Sequence, residues 1–306
     1  MRRNSALFAV LGVQFVLCSN LLAAEMLGWG DNSWGQLSSP SGSSYQRAVA
    51  GETYTLTLDA SGTLGVLGNH PIGDAIRDDI PDGEHFVAVS GKRGHALAQR
   101  IDGTLVGLGN DTFGQASPPL GAFTAFAAGS NHSLGIRPNG SLEAWGYGDF
   151  GQTAVPAGNN YVAVDGGEYH SIALRSDQTA VAWGWYNGAA YEVSNVAAIA
   201  AGWGHSLVLK TDGSLFAWGT NGQGEIDAPI GNDFVAVWAG GFVSAAMRSN
   251  GTYEVWGDTA NGQDLIPGGI DPSTISISFT HGVALVPEPT SLWLLTLGAL
   301  FIGRRR

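Results

Sequence analysis

The chain is short of the features that define most enzymes and most membrane proteins. It has one cysteine, Cys18, in the N-terminal stretch, so once that stretch is removed no disulfide is available and stability rests on packing alone. Only 13% of residues are charged, low for a helical protein and ordinary for short strands joined by tight turns. Basic residues are scarce: between 25 and 286 there are nine against twenty-five acidic ones, a net charge of −16 with neutral histidine. That acidity repels phosphate backbones, so nucleic acid is excluded as a partner. No apolar run reaches the roughly 20 residues of a permanent membrane span. The carboxylates of residues 69–84 (Asp74, Asp78, Asp79, Asp82, Glu84) lack the alternating calcium-loop pattern, so a solvated acidic loop is expected there. No metal and no cofactor is expected anywhere.

What the chain does have is repetition. Trp-Gly recurs as Trp29-Gly30, Trp145-Gly146, Trp183-Gly184, Trp218-Gly219 and Trp256-Gly257, with Leu67-Gly68 and Leu108-Gly109 in register. Before each later copy comes a strand whose aligned position holds Tyr54, His95, His132, His170, His205, Val243 and His281, at spacings of 41, 37, 38, 35, 38 and 38 residues. A unit this small cannot bury its own apolar face and must stack on its neighbours, which predicts an array or a propeller. Within one copy, Val196–Ala201 reads as a small-residue inner strand, His205–Lys210 as an alternating second strand, Asp212-Gly213 as a two-residue hairpin turn, and Ser214–Trp218 as a third strand. The turn recurs at Ser61-Gly62, Asp102-Gly103, Asn139-Gly140 and Asn250-Gly251, with Asp177-Gln178 as a poor copy.

After the Trp-Gly come Gly35-Gln36, Gly114-Gln115, Gly151-Gln152 and Gly262-Gln263. These phrases, W-G-x-N-x-x-G-Q and G-x-x-H-S-L-x-L, resemble the repeat of the regulator of chromosome condensation family over nearly all of 25–286. The resemblance implies an all-β, seven-bladed β-propeller, with short units like those of secreted bacterial relatives such as the propeller-type β-lactamase inhibitor. Leu67 and Leu108 depart from the pattern, so those blades are expected to be less regular. The N-terminal fragment Glu25–Leu37 holds only the last part of a unit and Thr274–Val286 only the first, so strands from both termini are expected to close one blade and remove two exposed sheet edges.

The two ends carry addresses. Met1-Arg2-Arg3, the apolar Ala6–Cys18 and Leu22-Ala23-Ala24 read as a signal peptide over 1–24. At the other end, Val286-Pro287-Glu288-Pro289-Thr290-Ser291, an apolar run Leu292–Gly303 and Arg304-Arg305-Arg306 resemble a PEP-CTERM sorting segment over 287–306. Prolines stop the strand, the apolar run suits a transient membrane anchor, and the arginines stay on the cytoplasmic side. The resemblance implies export, processing by an exosortase-type enzyme, and a cell-surface or extracellular destination.

Sequence-adjacent His-Ser pairs (His132-Ser133, His170-Ser171, His205-Ser206) invite a catalytic reading, but they recur at equivalent positions and are assigned to hydrogen bonding within each blade. Gly204-His205-Ser206-Leu207-Val208 lacks the closing glycine of a nucleophile elbow. The repeated tryptophans are expected to pack between blades, and Trp34, Phe113 and Phe150, which precede Gly-Gln, are read as structural. Function must distinguish one blade from another, so the symmetry-breaking residues matter. In the turns before the histidine position, Tyr169, Trp203 and Phe242 from three consecutive repeats form a candidate binding patch rimmed by Glu168, with Trp185 and Tyr186 as a second exposed pair. The expected protein is a non-enzymatic, exported recognition or matrix module for a protein or an extracellular polysaccharide. The alternatives are a secreted inhibitor of a hydrolase and a polysaccharide-active enzyme.

Overall fold

The computed structural model describes residues 24–40, 43–185 and 191–287. The signal segment before Ala24, Tyr186 and the sorting segment after Pro287 lie outside the described residues. The described chain is all-β apart from short helical pieces and forms six antiparallel sheets. Repeat 1 comprises Tyr45–Ala50, Thr55–Asp59 and Leu64–Leu67. Repeats 2 and 3 are Ala88–Gly91, His95–Gln99, Leu105–Gly109 and Ala125–Ala128, His132–Ile136, Leu142–Gly146. Repeat 4 has Tyr161–Gly166, His170–Arg175 and Ala180–Gly184, with a fourth strand, Tyr191–Val193. Repeats 5 and 6 are Val196–Ala201, His205–Lys210, Leu215–Gly219 and Phe234–Gly240, Val243–Arg248, Tyr253–Gly257.

The sixth sheet joins the two ends of the chain. Ala24–Gly30 pairs along its whole length with His281–Pro287, which in turn holds Ser276–Ile277. A single pair, Ala24 with Tyr45, attaches this group to repeat 1. First strands of successive repeats lie against one another from repeat 1 through repeat 6, then on to Ser276–Ile277, which touches Tyr45–Ala50. They are rich in alanine because strands that crowd together leave no room for larger side chains; Ala88, Ala163, Ala198 and Ala236 are all buried.

Two sides follow from the strand directions. On the hairpin face, the turn carbonyls of repeats 1 to 5 receive the N–H that opens the next repeat, as Phe123 to Gly103 and Phe234 to Gly213. Gln178 occupies the left-handed region at φ 69°, where the other hairpins place glycine, so the poor copy makes the same turn under strain. On the opposite turn face, Trp-Gly ends meet the turns before the histidine position. There Ser130 N–H donates to Gly167, Glu168 to Trp203 and Trp203 to Gly241.

The acidic stretch after repeat 1 is not a simple solvated loop. It folds as helix α1, Pro71–Asp78, with Pro71 in its first turn and the His70 ring accepting from the Ile72 N–H. Ile72, Ile76 and Ile80 share one face by i, i+4, i+8 spacing, and Ile76 is fully buried with Leu108, Val66 and Val106. The helix fills space beside Leu67 and Leu108, the two positions where the repeated tryptophan is missing.

Candidate functional site

The histidines bond between repeats rather than within them, a correction to the sequence reading. His95 Nε2 meets Ser133 Oγ at 2.8 Å, His132 meets Ser171 at 2.9 Å, His205 meets Ser244 at 2.8 Å, and His281 meets Thr55 at 2.9 Å. Each partner lies in a neighbouring repeat, one repeat on along the chain for His95, His132 and His205 and across the chain ends for His281, so sequence-adjacent His-Ser pairs are not the bonded pairs. Ser133, Ser171 and Ser244 donate their hydroxyl protons to the carbonyls of Gln115, Gln152 and Glu225. Those serines therefore accept from the histidine Nε2–H, the reverse of what a serine nucleophile needs. Burial holds His95, His205 and His281 down at about 4 and His132 at about 3, with His170 also lowered. The rings are neutral, inaccessible ties between neighbouring sheets.

Tryptophan completes the tie. Trp145, Trp183 and Trp256 donate Nε1–H to the same three carbonyls, and Trp29 donates to Gln263. The side chain of the same Gln or Glu folds back to accept from the N–H two residues earlier: Phe113 to Gln115, Phe150 to Gln152, Gln223 to Glu225 and Asn261 to Gln263, as does Gln36 from Trp34. Glu225 is the copy that the Gly-Gln phrase conceals. Ser206 Oγ and Trp218 Nε1 have no hydrogen-bond partner among the described residues, and the connection before them contains 186–190, outside that set.

This back-folded turn lifts its aromatic residue to the surface. Trp34, Phe113 and Phe150, read from the sequence as structural, are 43%, 49% and 40% exposed and are not packed in the core. Phe113 and Phe150 instead belong to an arc on the turn face. Ring centroids run Phe113–Tyr147 4.9 Å, Tyr147–Phe150 6.0 Å and Phe150–Tyr169 4.5 Å, then Tyr169–Trp203 6.4 Å and Trp203–Phe242 4.9 Å. Phe279 closes on both Phe242 at 5.5 Å and Trp203 at 6.4 Å, and Trp185 joins Tyr169 at 5.9 Å. The predicted Tyr169, Trp203 and Phe242 are thus neighbours, and Trp185 lies on the same face. Phe279 was missed, although Ser278-Phe279-Thr280 before His281 is the same turn in the last repeat.

Inside the arc lies a charged hub. Arg93 reaches Glu168 at 3.3 Å and Glu52 at 3.6 Å. Glu168 is nearly buried, its Oε2 has no hydrogen-bond partner among the described residues, and burial pushes its carboxyl above the ordinary carboxylate range. Lys92, from repeat 2, extends to repeats 4 and 5, donating to Gly166 O at 2.5 Å and Ala201 O at 2.7 Å. Asp165 lies beside it and accepts from the Gly166 and Ala201 N–H groups. Burial lowers the Lys92 pKa and raises that of Asp165, and each charge opposes the shift of the other. Among the described residues, no group of three or more His, Cys, Asp or Glu is arranged to hold a metal ion. The surface can supply ring faces, a hydrogen-bonding carboxylate and a guanidinium.

The regulator of chromosome condensation (RCC1) repeat model matches residues 123–152 and 196–225, and the PEP-CTERM protein-sorting motif matches 285–306. No curated protein matches the chain significantly by sequence. Among solved structures, human WBSCR16 superposes with a TM-score of 0.70 at 16% identity, covering 86% of this chain and 99% of its own. Prp20p from Saccharomyces cerevisiae, described with its binding properties to Gsp1p and histones, gives 0.67 at 18% identity, covering 91% and 95%. The ectodomain of the Physcomitrella patens receptor kinase CR4 gives 0.62 at 21% identity, covering 76% and 67%. The chain therefore carries regulator of chromosome condensation repeats on a fold that resembles the RCC1 β-propellers, and it ends in a PEP-CTERM sorting motif.

Proposed function

We propose that the protein is an exported, non-enzymatic seven-bladed propeller, closed by strands from both termini, that uses its turn face to bind a protein or an extracellular polysaccharide. The reading of seven blades takes Ser276–Ile277, His281–Pro287 and Ala24–Gly30 as one blade and repeat 1 as another, and is supported by the single register pair, Ala24–Tyr45, that joins them within one sheet. Closure is favoured by the contact of Ser276–Ile277 with both Phe234–Gly240 and Tyr45–Ala50. The non-enzymatic reading is supported by the direction of the His-to-Ser hydrogen bonds, which leaves no hydroxyl free to be activated in those pairs.

The observation that carries the binding role is the unbroken arc from Phe113 to Phe279 around the Arg93–Glu168 pair. Rings held at fixed spacing by the sheets lose little entropy on binding, so affinity comes from aromatic anchors already in place. Tyr169, Trp203 and Phe242 sit at its middle, flanked by Glu168 and Trp185; Tyr186 follows Trp185 in sequence. A rigid, preformed surface also suits a chain that works outside the cell, since it needs no cofactor and no conformational cycle.

The test is affinity capture from the producing organism's surface and medium, with residues 25–286 as bait beside a Tyr169→Ala, Trp203→Ala, Phe242→Ala variant of matched thermal stability. The variant is expected to lose the captured protein or polysaccharide. Equal capture by both baits would place the binding surface elsewhere.

A further inference from the structure

The aromatic arc lies on one side of the molecule, and the two ends of the described chain, Ala24 and Pro287, lie on the other. Pro287 is in register with Ala24, Ala24 with Tyr45, and Tyr45 with Asp59, which opens the hairpin at Ser61-Gly62. At the far ends of the same strands Gly30 faces His281, on the turn face. Both the strand that begins the described chain and the strand that leads into the tail therefore leave from the hairpin face.

The distance to the apolar tail is short. Only residues 288–291 separate Pro287 from the apolar run that begins at Leu292. Four residues span at most about 14 Å even when fully extended. The strand His281–Pro287, at about 3.3 Å per residue, carries the turn face roughly 20 Å farther away.

A second observation marks the same side. Three aliphatic side chains are almost wholly exposed: Leu120 at 98%, Ile230 at 97% and Ile101 at 86%. Ile101 sits in the hairpin of repeat 2. Leu120 precedes Gly121-Ala122, where the Ala122 carbonyl accepts from Arg137, and the Ile230 carbonyl accepts from Arg248. All three lie on the hairpin face, Ile101 and Leu120 between the second strand of repeat 2 and the first of repeat 3, and Ile230 in the connection from repeat 5 to repeat 6. Packing gives no reason for them, and a sheet of interfacial lipid does.

The charges on this face indicate the kind of lipid. Arg100, Arg137, Arg175 and Arg248 pair with Glu84, Glu143, Glu192, and Asp233 and Glu254, while Lys210 donates to the Ser194 carbonyl. The hairpin aspartates Asp59, Asp102, Asp177 and Asp212 add further negative charge. Local pairing offsets much of the acidity, yet carboxylates outnumber the cations. The face suits zwitterionic headgroups and is repelled by anionic ones.

We propose that the hairpin face rests on the zwitterionic surface of the bilayer that holds the chain's own apolar tail, so that the aromatic turn face points away from the membrane. This rests on the reading of 292–303 as membrane-embedded. Ile101, Leu120 and Ile230 enter the headgroup layer as shallow contacts, and the four-residue connection keeps the face against the lipid. The tether sets a molecule that would otherwise tumble into one orientation, with its binding surface outward.

The test uses the full chain carrying Cys18→Ser, with one fluorophore attached through Ser249→Cys on the hairpin face or Thr112→Cys on the turn face. Each is reconstituted in phosphatidylcholine vesicles containing a headgroup nitroxide lipid. The label at 249 is expected to lose most of its fluorescence and the label at 112 to keep it. Adding Leu120→Glu and Ile230→Glu should restore fluorescence at 249, as should adding phosphatidylglycerol to the vesicles at low salt. Both substituted side chains are exposed, so the fold is unaffected. Equal quenching at 249 and 112 in vesicle-bound protein would overturn the orientation alone. Protein that fails to float with the vesicles would overturn the membrane-embedded reading of the tail, and the orientation with it.

Discussion

Lowering the pH from 7.5 to 5 should destabilise this protein far more than its surface charges would suggest. His95, His205 and His281 are held at about 4 and His132 at about 3 by burial, whereas in the unfolded chain each titrates near 6.5. Between those values the unfolded state binds protons that the folded state refuses, so stability is complete above about pH 6.5 and falls as the pH drops toward 4. At pH 5, one and a half units below the unfolded pKa, each histidine costs about 2 kcal/mol. Four of them cost about 8 kcal/mol, a large part of a domain's usual stability of about 5–15 kcal/mol. The assay is urea unfolding followed by tryptophan fluorescence at pH 7.5, 6 and 5. A His132→Gln variant, which keeps a donor toward Ser171, should lower stability slightly at pH 7.5 and lose about a quarter of the pH dependence. An unfolding free energy at pH 5 within about 1 kcal/mol of that at pH 7.5 would refute the reasoning, because neutral buried rings cannot be indifferent to acid.

Two further substitutions probe the packing on which the site depends. Lys92→Met keeps the stem but removes the ammonium from the Gly166 and Ala201 carbonyls and leaves Asp165 without its counter-charge; a loss of about 3–5 kcal/mol is expected. Adding Asp165→Asn should recover part of it in the same urea titration, a result that simple loss of side-chain volume would not produce. Ile76→Ala should cost about 2–5 kcal/mol, since the side chain is fully buried where no tryptophan stands. A fall below about 1 kcal/mol in a thermal melt would mean that α1 is not part of the core.

Much of the fold was legible because each repeat states the same local chemistry: a small-residue strand, a second strand entered at the histidine position, a Gly hairpin and a Trp strand. Such signals act over a few residues and survive in a single sequence. The direction of the His–Ser bonds was not legible, because each partner lies about one repeat away and adjacent residues point to different neighbours. Helix α1 was hidden by its carboxylates, although Ile72, Ile76 and Ile80 carried its period. For the site, the turn alignment found Tyr169, Trp203 and Phe242 but stopped before Phe279. It also read Phe113 and Phe150 as structural and left them out of the patch, because nothing local reveals that the glutamine side chain folds back and lifts the residue before the glycine. The Lys92–Asp165 hub had no sequence signal, since it joins three repeats only once they stand side by side.

The departures in repeat 2 show why the repeat has the residues it has. In repeats 3, 4 and 6 one backbone carbonyl, that of the Gln or Glu in the preceding connection, receives both a serine hydroxyl and an indole N–H. The connection before repeat 2 is occupied by α1 and has no such residue. There the serine position is Ala96 and the tryptophan position is Leu108, both fully buried. Retaining either donor without the acceptor would leave a buried polar group unsatisfied, at about 1–3 kcal/mol each. Replacing both with apolar residues, and filling the remaining volume with Ile76, avoids that loss. Repeats 3, 4 and 6 thus keep the serine, the tryptophan and the Gln or Glu together, and repeat 2 loses all three, while the turn-face residues that differ from repeat to repeat, Tyr169, Trp203, Phe242 and Phe279, meet in the arc.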